Sequence, residues 1–110
     1  MLPKQERLTH KDITSLPRPT SVCHSTHFKL SVYKHTDLFQ VSIVVSKKVS
    51  KVAVQRNTIR RCLYDVFAKH KEYLGGGMYV LRVKVGAEKV TKRQLCAELE
   101  ELIGRVVKTR

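Results

Sequence analysis

Residues 39–67 read FQVSIVVSKKVSKVAVQRNTIRRCLYDVF, and the spacing of the apolar residues changes partway along. Phe39, Val41, Ile43 and Val45 alternate with Gln40, Ser42 and Val44, the two-residue period of a half-buried strand. Further on, Ile59, Cys62, Leu63, Val66 and Phe67 recur at helical spacing, while Arg56, Asn57, Arg60, Arg61 and Tyr64 fall on other faces. A strand running into an amphipathic helix is expected. Lys47, Lys48, Lys51, Arg56, Arg60 and Arg61 crowd the junction, with no acidic residue between Ser46 and Arg61.

Upstream, Phe28, Leu30 and Val32 alternate with Lys29, Ser31 and Tyr33. This second strand is expected to form a hairpin with the one after it, through a turn near His35 to Asp37. A shorter strand around Ser21 to His24 precedes them. Thr9 and Asp12 have capping-box spacing for a short first helix reaching Leu16, which Pro17 and Pro19 end. Downstream, Gly75 to Gly77 should stop the basic helix and Met78 to Val85 should form a fourth strand. Thr91 with Gln94 is a second capping box, opening a last helix with Leu95, Leu99, Leu102, Ile103 and Val106 on one face. The order αβββαβα describes an α+β fold, one sheet with helices packed on it, in a single domain over residues 1–110 with flexible ends at 1–6 and 108–110.

Charge narrows the function. Twenty-two Lys and Arg against nine Asp and Glu leave a net charge of +13, and a polyanionic partner is the default reading. A membrane is disfavoured because no apolar run approaches the roughly 18 residues of a spanning helix. The N-terminal MLPKQERL has no apolar signal region, so a cytoplasmic location is expected. Cys23, Cys62 and Cys96 are odd in number and form no CxxC pair, which suits reduced thiols.

Other chemistry is weakly supported. Cys23, His24 and His27 sit in one short segment without a second ligand cluster, so zinc is not expected. The GGGM at 75–78 lacks the Lys and Ser/Thr of a phosphate-binding loop, and the carboxylates show no acid/base pairing, so no catalytic residue is expected in the polypeptide. Strands before the basic helix fit RNA better than a helix-turn-helix DNA reader. Tyr33, Tyr64 and Phe28 are candidate stacking partners for unpaired bases, although packing in the core is the commoner fate of such rings.

VSKK at 45–48, AVQRNTIRR at 53–61 and RLTHKDI at 7–13 together resemble the bacterial ribonuclease P protein component, over nearly the whole chain. The resemblance implies a ribosomal protein S5 domain 2-like fold with a left-handed βαβ crossover, where general chirality rules would expect a right-handed one. It implies a protein subunit that assists a catalytic RNA in endonucleolytic removal of the 5′ leader from precursor tRNA. By the same likeness, Lys47, Lys48, Lys51, Arg56, Asn57, Arg60 and Arg61 would face the catalytic RNA. The single-stranded leader would lie in a cleft to which Ile13, Leu16, Phe28 and Tyr64 contribute. Mg²⁺ would serve the complex, held mainly by RNA, and the protein alone would be monomeric. Thr58 stands where the family motif has a second Arg, and a structural or chaperoning RNA-binding protein on the same fold is the competing reading.

Overall fold

The computed structural model describes residue 19 and residues 21–33 and 39–108. The expected first helix and the turn near His35 to Asp37 lie outside these residues. Strands β1 (Ser21–His24), β2 (Phe28–Tyr33), β3 (Phe39–Val44) and β4 (Gly77–Val83) form one sheet in the order β1-β2-β4-β3. The short strand at Ser21 is therefore present, and it makes the antiparallel hairpin with β2.

The expected hairpin between β2 and β3 is not formed. Instead β4 lies between them, antiparallel to β2 and parallel to β3. Period-two patterning says which residues share a face, but it is silent about which strand lies alongside. Parallel neighbours need a crossover, and here that crossover is helix α1 (Ala53–Lys69). This β3–α1–β4 unit is the one for which the family resemblance implies left-handed connection.

Helix α1 is shorter than expected. It ends at Lys69, and a separate turn of helix, α2 (Lys71–Leu74), follows before Gly75 reverses the chain at φ 76°. That left-handed conformation is what an L side chain resists, so the first glycine of the run ends the helical segment as expected. After β4 and a 3₁₀ turn at Ala87–Lys89, helix α3 (Lys92–Lys108) begins at the predicted capping box. The Thr91 N–H donates to Gln94 Oε1 at 3.0 Å, and the Gln94 N–H donates to Thr91 Oγ1 at 3.2 Å.

One face of the sheet carries the core. Cys23, Leu30, Leu81 and Ile43 align across the four strands, and Val32, Tyr79 and Val41 form the next row. Against these pack Ile59, Leu63, Val66 and Phe67 of α1 and Leu95, Leu99, Leu102, Ile103 and Val106 of α3. Each such burial contributes roughly 1.5–3 kcal/mol before the conformational entropy it opposes. Tyr79 is buried completely yet satisfied: its hydroxyl donates to the Leu74 carbonyl at 2.9 Å and lies 3.3 Å from that of Gly75, closing the end of α2.

Glu98 of α3 fastens the β1–β2 turn to the helices. Its carboxylate accepts from Ser25 Oγ at 2.5 Å and from the His27 backbone N–H at 2.8 Å, and it lies 2.7 Å from His27 Nδ1. Partial burial pushes this carboxyl upward, but the hydrogen bonds outweigh burial and hold it below its ordinary value of 4.5. A carboxyl depressed by folding contributes stability that is present above the ordinary value and is lost as pH falls through the folded one. Unfolding midpoints in denaturant measured from neutral pH downward should therefore show the unsubstituted chain ahead of Glu98→Gln near neutrality. That gap should narrow below about pH 4.5.

Candidate nucleic-acid interface

The cationic junction is built by local backbone constraints. After β3, Val49 is buried and its N–H donates to the Ser46 carbonyl at 3.0 Å, so Lys47 and Lys48 are held on a turn with exposed side chains. Ser50 is also buried. Its hydroxyl donates to Gln55 Oε1 and accepts from the Val52 N–H at 3.2 Å, and its carbonyl accepts from Arg56 Nη1 at 2.8 Å. The guanidinium of Arg56 thus braces the loop that enters the helix.

Val52 occupies the N-cap of α1 in extended conformation, with no side-chain capping bond, and the first turn holds no acidic residue. Helices usually satisfy those leading N–H groups with Ser, Thr, Asp or Asn and place carboxylates near the positive end of the dipole. Here the same end is surrounded by Lys47, Lys48, Lys51 and Arg56. Among the described residues none of Lys47, Lys48, Lys51, Arg56, Arg60 and Arg61 forms an ion pair; Glu98 and Glu100 face His27 and His70 instead. Arg60 Nη2 donates to Asn57 Oδ1, which aligns those two side chains. Uncompensated cations at an uncapped helix start make this part of the surface attractive to anions.

The seven residues expected at the junction are thus gathered in one region, with Lys47, Lys48, Lys51, Asn57 and Arg61 exposed and Arg56 and Arg60 half-buried. Thr58 turns its hydroxyl inward to the Val54 carbonyl of its own helix at 2.8 Å. It replaces a cation with a group already engaged.

Two of the expected cleft residues are buried. Phe28 is 0% exposed, on the helix-facing side of β2 with Leu30 and Val32, so its ring is part of the core. Tyr64 is 8% exposed, and its hydroxyl accepts from the Ile43 N–H of β3 at 3.3 Å. It borders the apolar stripe of α1, and β3 covers it. Ile13 and Leu16 lie outside the described residues.

Residues overlooked by the sequence reading lie on the opposite sheet face. There His24, Lys29, Arg82 and Val44 stand in one row across all four strands, with Val22, Ser31, Val80 and Ser42 in the next. Lys29 and Arg82 are directly paired, an arrangement of like charges that is unfavourable until an anion joins it. Tyr33 and Met78 pack with Val80 on the same face. The alternation placing Lys29 opposite Phe28 was visible, but its juxtaposition with Arg82 depends on β4 pairing with β2.

Mixed α+β architecture, a βαβ crossover through a basic helix and two cationic surfaces define an anion-binding class of small domain. The chain belongs to the ribonuclease P protein family, whose model matches residues 2–107. Among its relatives, the ribonuclease P protein component of Pseudanabaena sp. is 31% identical over 109 residues, covering 96% of this chain and 94% of that protein. The component from Chromobacterium violaceum is 34% identical over 74 residues, covering 67% of this chain and 61% of that protein. The fold is similar to that of the Staphylococcus aureus RNase P protein, with a TM-score of 0.81 at 24% identity over 94% of this chain and 96% of that one. A Thermotoga maritima RNase P protein matches with a TM-score of 0.68 at 21% identity, over 77% of this chain and 82% of that one. Membership makes the chain a protein component of an endoribonuclease ribonucleoprotein, acting in tRNA 5′ processing and partnering the ribonuclease P RNA.

If Tyr64 and Phe28 are core residues, substitution should register as lost stability. Tyr64→Phe leaves the Ile43 N–H without its acceptor and should cost about 1 kcal/mol, and Phe28→Ala about 3–5 kcal/mol. Equilibrium denaturation checks both.

Proposed function

We propose that this chain binds the catalytic RNA of ribonuclease P through the junction between β3 and α1, and holds the 5′ leader of precursor tRNA against the opposite face of the sheet. The observation that carries the reading is the set of six Lys and Arg side chains, without ion-pair partners among the described residues, around the uncapped start of α1. In a member of this family such a surface has a polyanion as its natural complement. Neutralising RNA phosphates there releases condensed counterions, and the release gives affinity that falls steeply with salt. Arg56 and Arg60 supply planar forks suited to phosphate oxygens, and Lys47, Lys48 and Lys51 supply point charges on flexible stems.

The row of His24, Lys29 and Arg82 supports the second half of the proposal. A leader strand crossing that face would relieve the repulsion between Lys29 and Arg82, and no acidic residue lies on any of the four strands to oppose it. The protein would then screen the charge of two RNAs meeting across it, one on the helix junction and one on the sheet.

Among the described residues no group of three or more His, Cys, Asp or Glu is placed to hold a metal ion. We propose separately that the Mg²⁺ serving the complex is held mainly by RNA oxygens. No helix among the described residues is long and apolar enough to cross a membrane. We place the chain in the cytoplasm, monomeric until it meets its RNA.

Cleavage of a precursor tRNA by bacterial ribonuclease P RNA at low Mg²⁺, with and without the chain, tests the function. Cleavage at the mature 5′ end should depend on the protein; binding with no gain in cleavage would favour a purely structural RNA-binding role. Arg60→Ala combined with Arg61→Ala should weaken binding to the catalytic RNA and reduce the slope of log affinity against log salt by roughly two phosphate equivalents. Lys29→Ala with Arg82→Ala should instead narrow the difference in affinity between precursor and mature tRNA, measured on the assembled complex, while binding of the catalytic RNA stays unchanged.

A further inference from the structure

The seam between α1 and α3 holds a feature that RNA binding does not use. Cys62 of α1 and Cys96 of α3 are free thiols, both half-buried, with their Sγ atoms 2.7 Å apart. Cys23, the third thiol, lies on β1, aligned with Leu30. We infer that Cys62 and Cys96 are an oxidisable pair that closes to an intramolecular disulfide and braces the basic helix against the last helix.

Geometry supports it first. A disulfide holds its sulfurs at about 2.05 Å, so the pair needs only about 0.7 Å of further approach, within ordinary side-chain adjustment. Both thiols sit on α1 and α3, which pack against each other and hold the two sulfurs side by side. Burial does most to push the Cys96 thiol up, to about 12, with the hydrogen bond and charge of Cys62 and the carboxylates of Glu100 and Asp65 adding to it. Cys96 therefore rests as a thiol at neutral pH.

A peroxide supplies the oxidant. One sulfur, as thiolate, attacks a peroxide oxygen and breaks the O–O bond, leaving a sulfenic acid and hydroxide that takes up a proton to become water. The second sulfur then attacks the first, the S–O bond breaks, and the oxygen leaves as a second water. Two thiols and one hydrogen peroxide thus give one disulfide and two waters, with the peroxide reduced.

The location decides the consequence. At about 100° per residue, Cys62 lies on the flank of α1 away from Arg56 and Arg60, so the bond braces the helix without pulling on those guanidinium groups. It joins positions 34 residues apart, which restricts the unfolded chain far more than the folded one. Oxidation would raise stability and leave the cationic junction in place.

Treating the purified full chain with a small excess of hydrogen peroxide should remove two of its three thiols together and lower its mass by two hydrogens. Peptide mapping should join the segments containing Cys62 and Cys96, reversibly with dithiothreitol, and the melting temperature should rise by roughly 10 °C. Cys23→Ser should behave identically, whereas Cys62→Ser or Cys96→Ser should abolish the bridge. Because mapping is done on the unsubstituted chain, a misfolded variant does not blunt the test. The inference is overturned if the pair stays reduced, if oxygen adds to single cysteines instead, or if the bridged species are dimers through Cys23.

Discussion

β4 is hydrogen-bonded along both edges, antiparallel to β2 on one side and parallel to β3 on the other, and the rest of the described structure depends on that position. A parallel pair cannot be closed by a tight turn, so the chain leaving β3 must cross the sheet before it can return as β4. Helix α1 makes the crossing. Its apolar stripe has to cover the sheet, which leaves its polar flanks and its N-terminus at the surface beside the end of β3. The cations therefore project from an element whose placement the core enforces.

Charge follows the same division. Among the described residues every Asp and Glu lies at position 65 or later, on helices or on the turn before α3. Several have structural work there: Glu98 anchors the β1–β2 turn, and Glu88 accepts from the Gly86 N–H. Strands and the start of α1 keep only cations. The opposing faces of the sheet thereby differ: one carries the apolar core, while the other buries Tyr33, Val80, Ser31 and Ser42 and carries Lys29 and Arg82 as like-charged neighbours at one end.

Much of this was legible in the residues, and the part that was not has a physical explanation. Strand and helix periods, the Thr91–Gln94 capping box and the Gly75 reversal are local features, decided within a few residues, and they appear where their patterns placed them. Pairing is non-local. Phe28–Tyr33 and Phe39–Val44 look like a hairpin because they are consecutive and similarly patterned, yet the strand between them comes from more than thirty residues further on. The same gap hides where Phe28 ends up, because which face the helices cover is settled by tertiary packing. Tyr64 is hidden for a different reason: at the border of an apolar stripe, burial depends on whether an edge strand reaches it.

The two flanks of α1 complete the argument. Arg56 and Arg60 share a flank with Tyr64, toward β3, whereas Thr58 and Cys62 look toward α3, as the Cys96 contact requires. Thr58 lines a cavity of about 230 Å³ with Ile59, Ala87, Val90 and Leu95, where the helix start meets the turn before α3. An arginine at that position, as the family motif has it, would extend cationic surface over the mouth of the cavity and join the two flanks. With threonine bonded back to Val54, the α3 flank is left to packing and to the thiol pair. Positive charge is then concentrated on the flank continuous with Lys47 and Lys48. A polyanion approaching this helix meets one sided charge, which restricts the orientations in which it can dock.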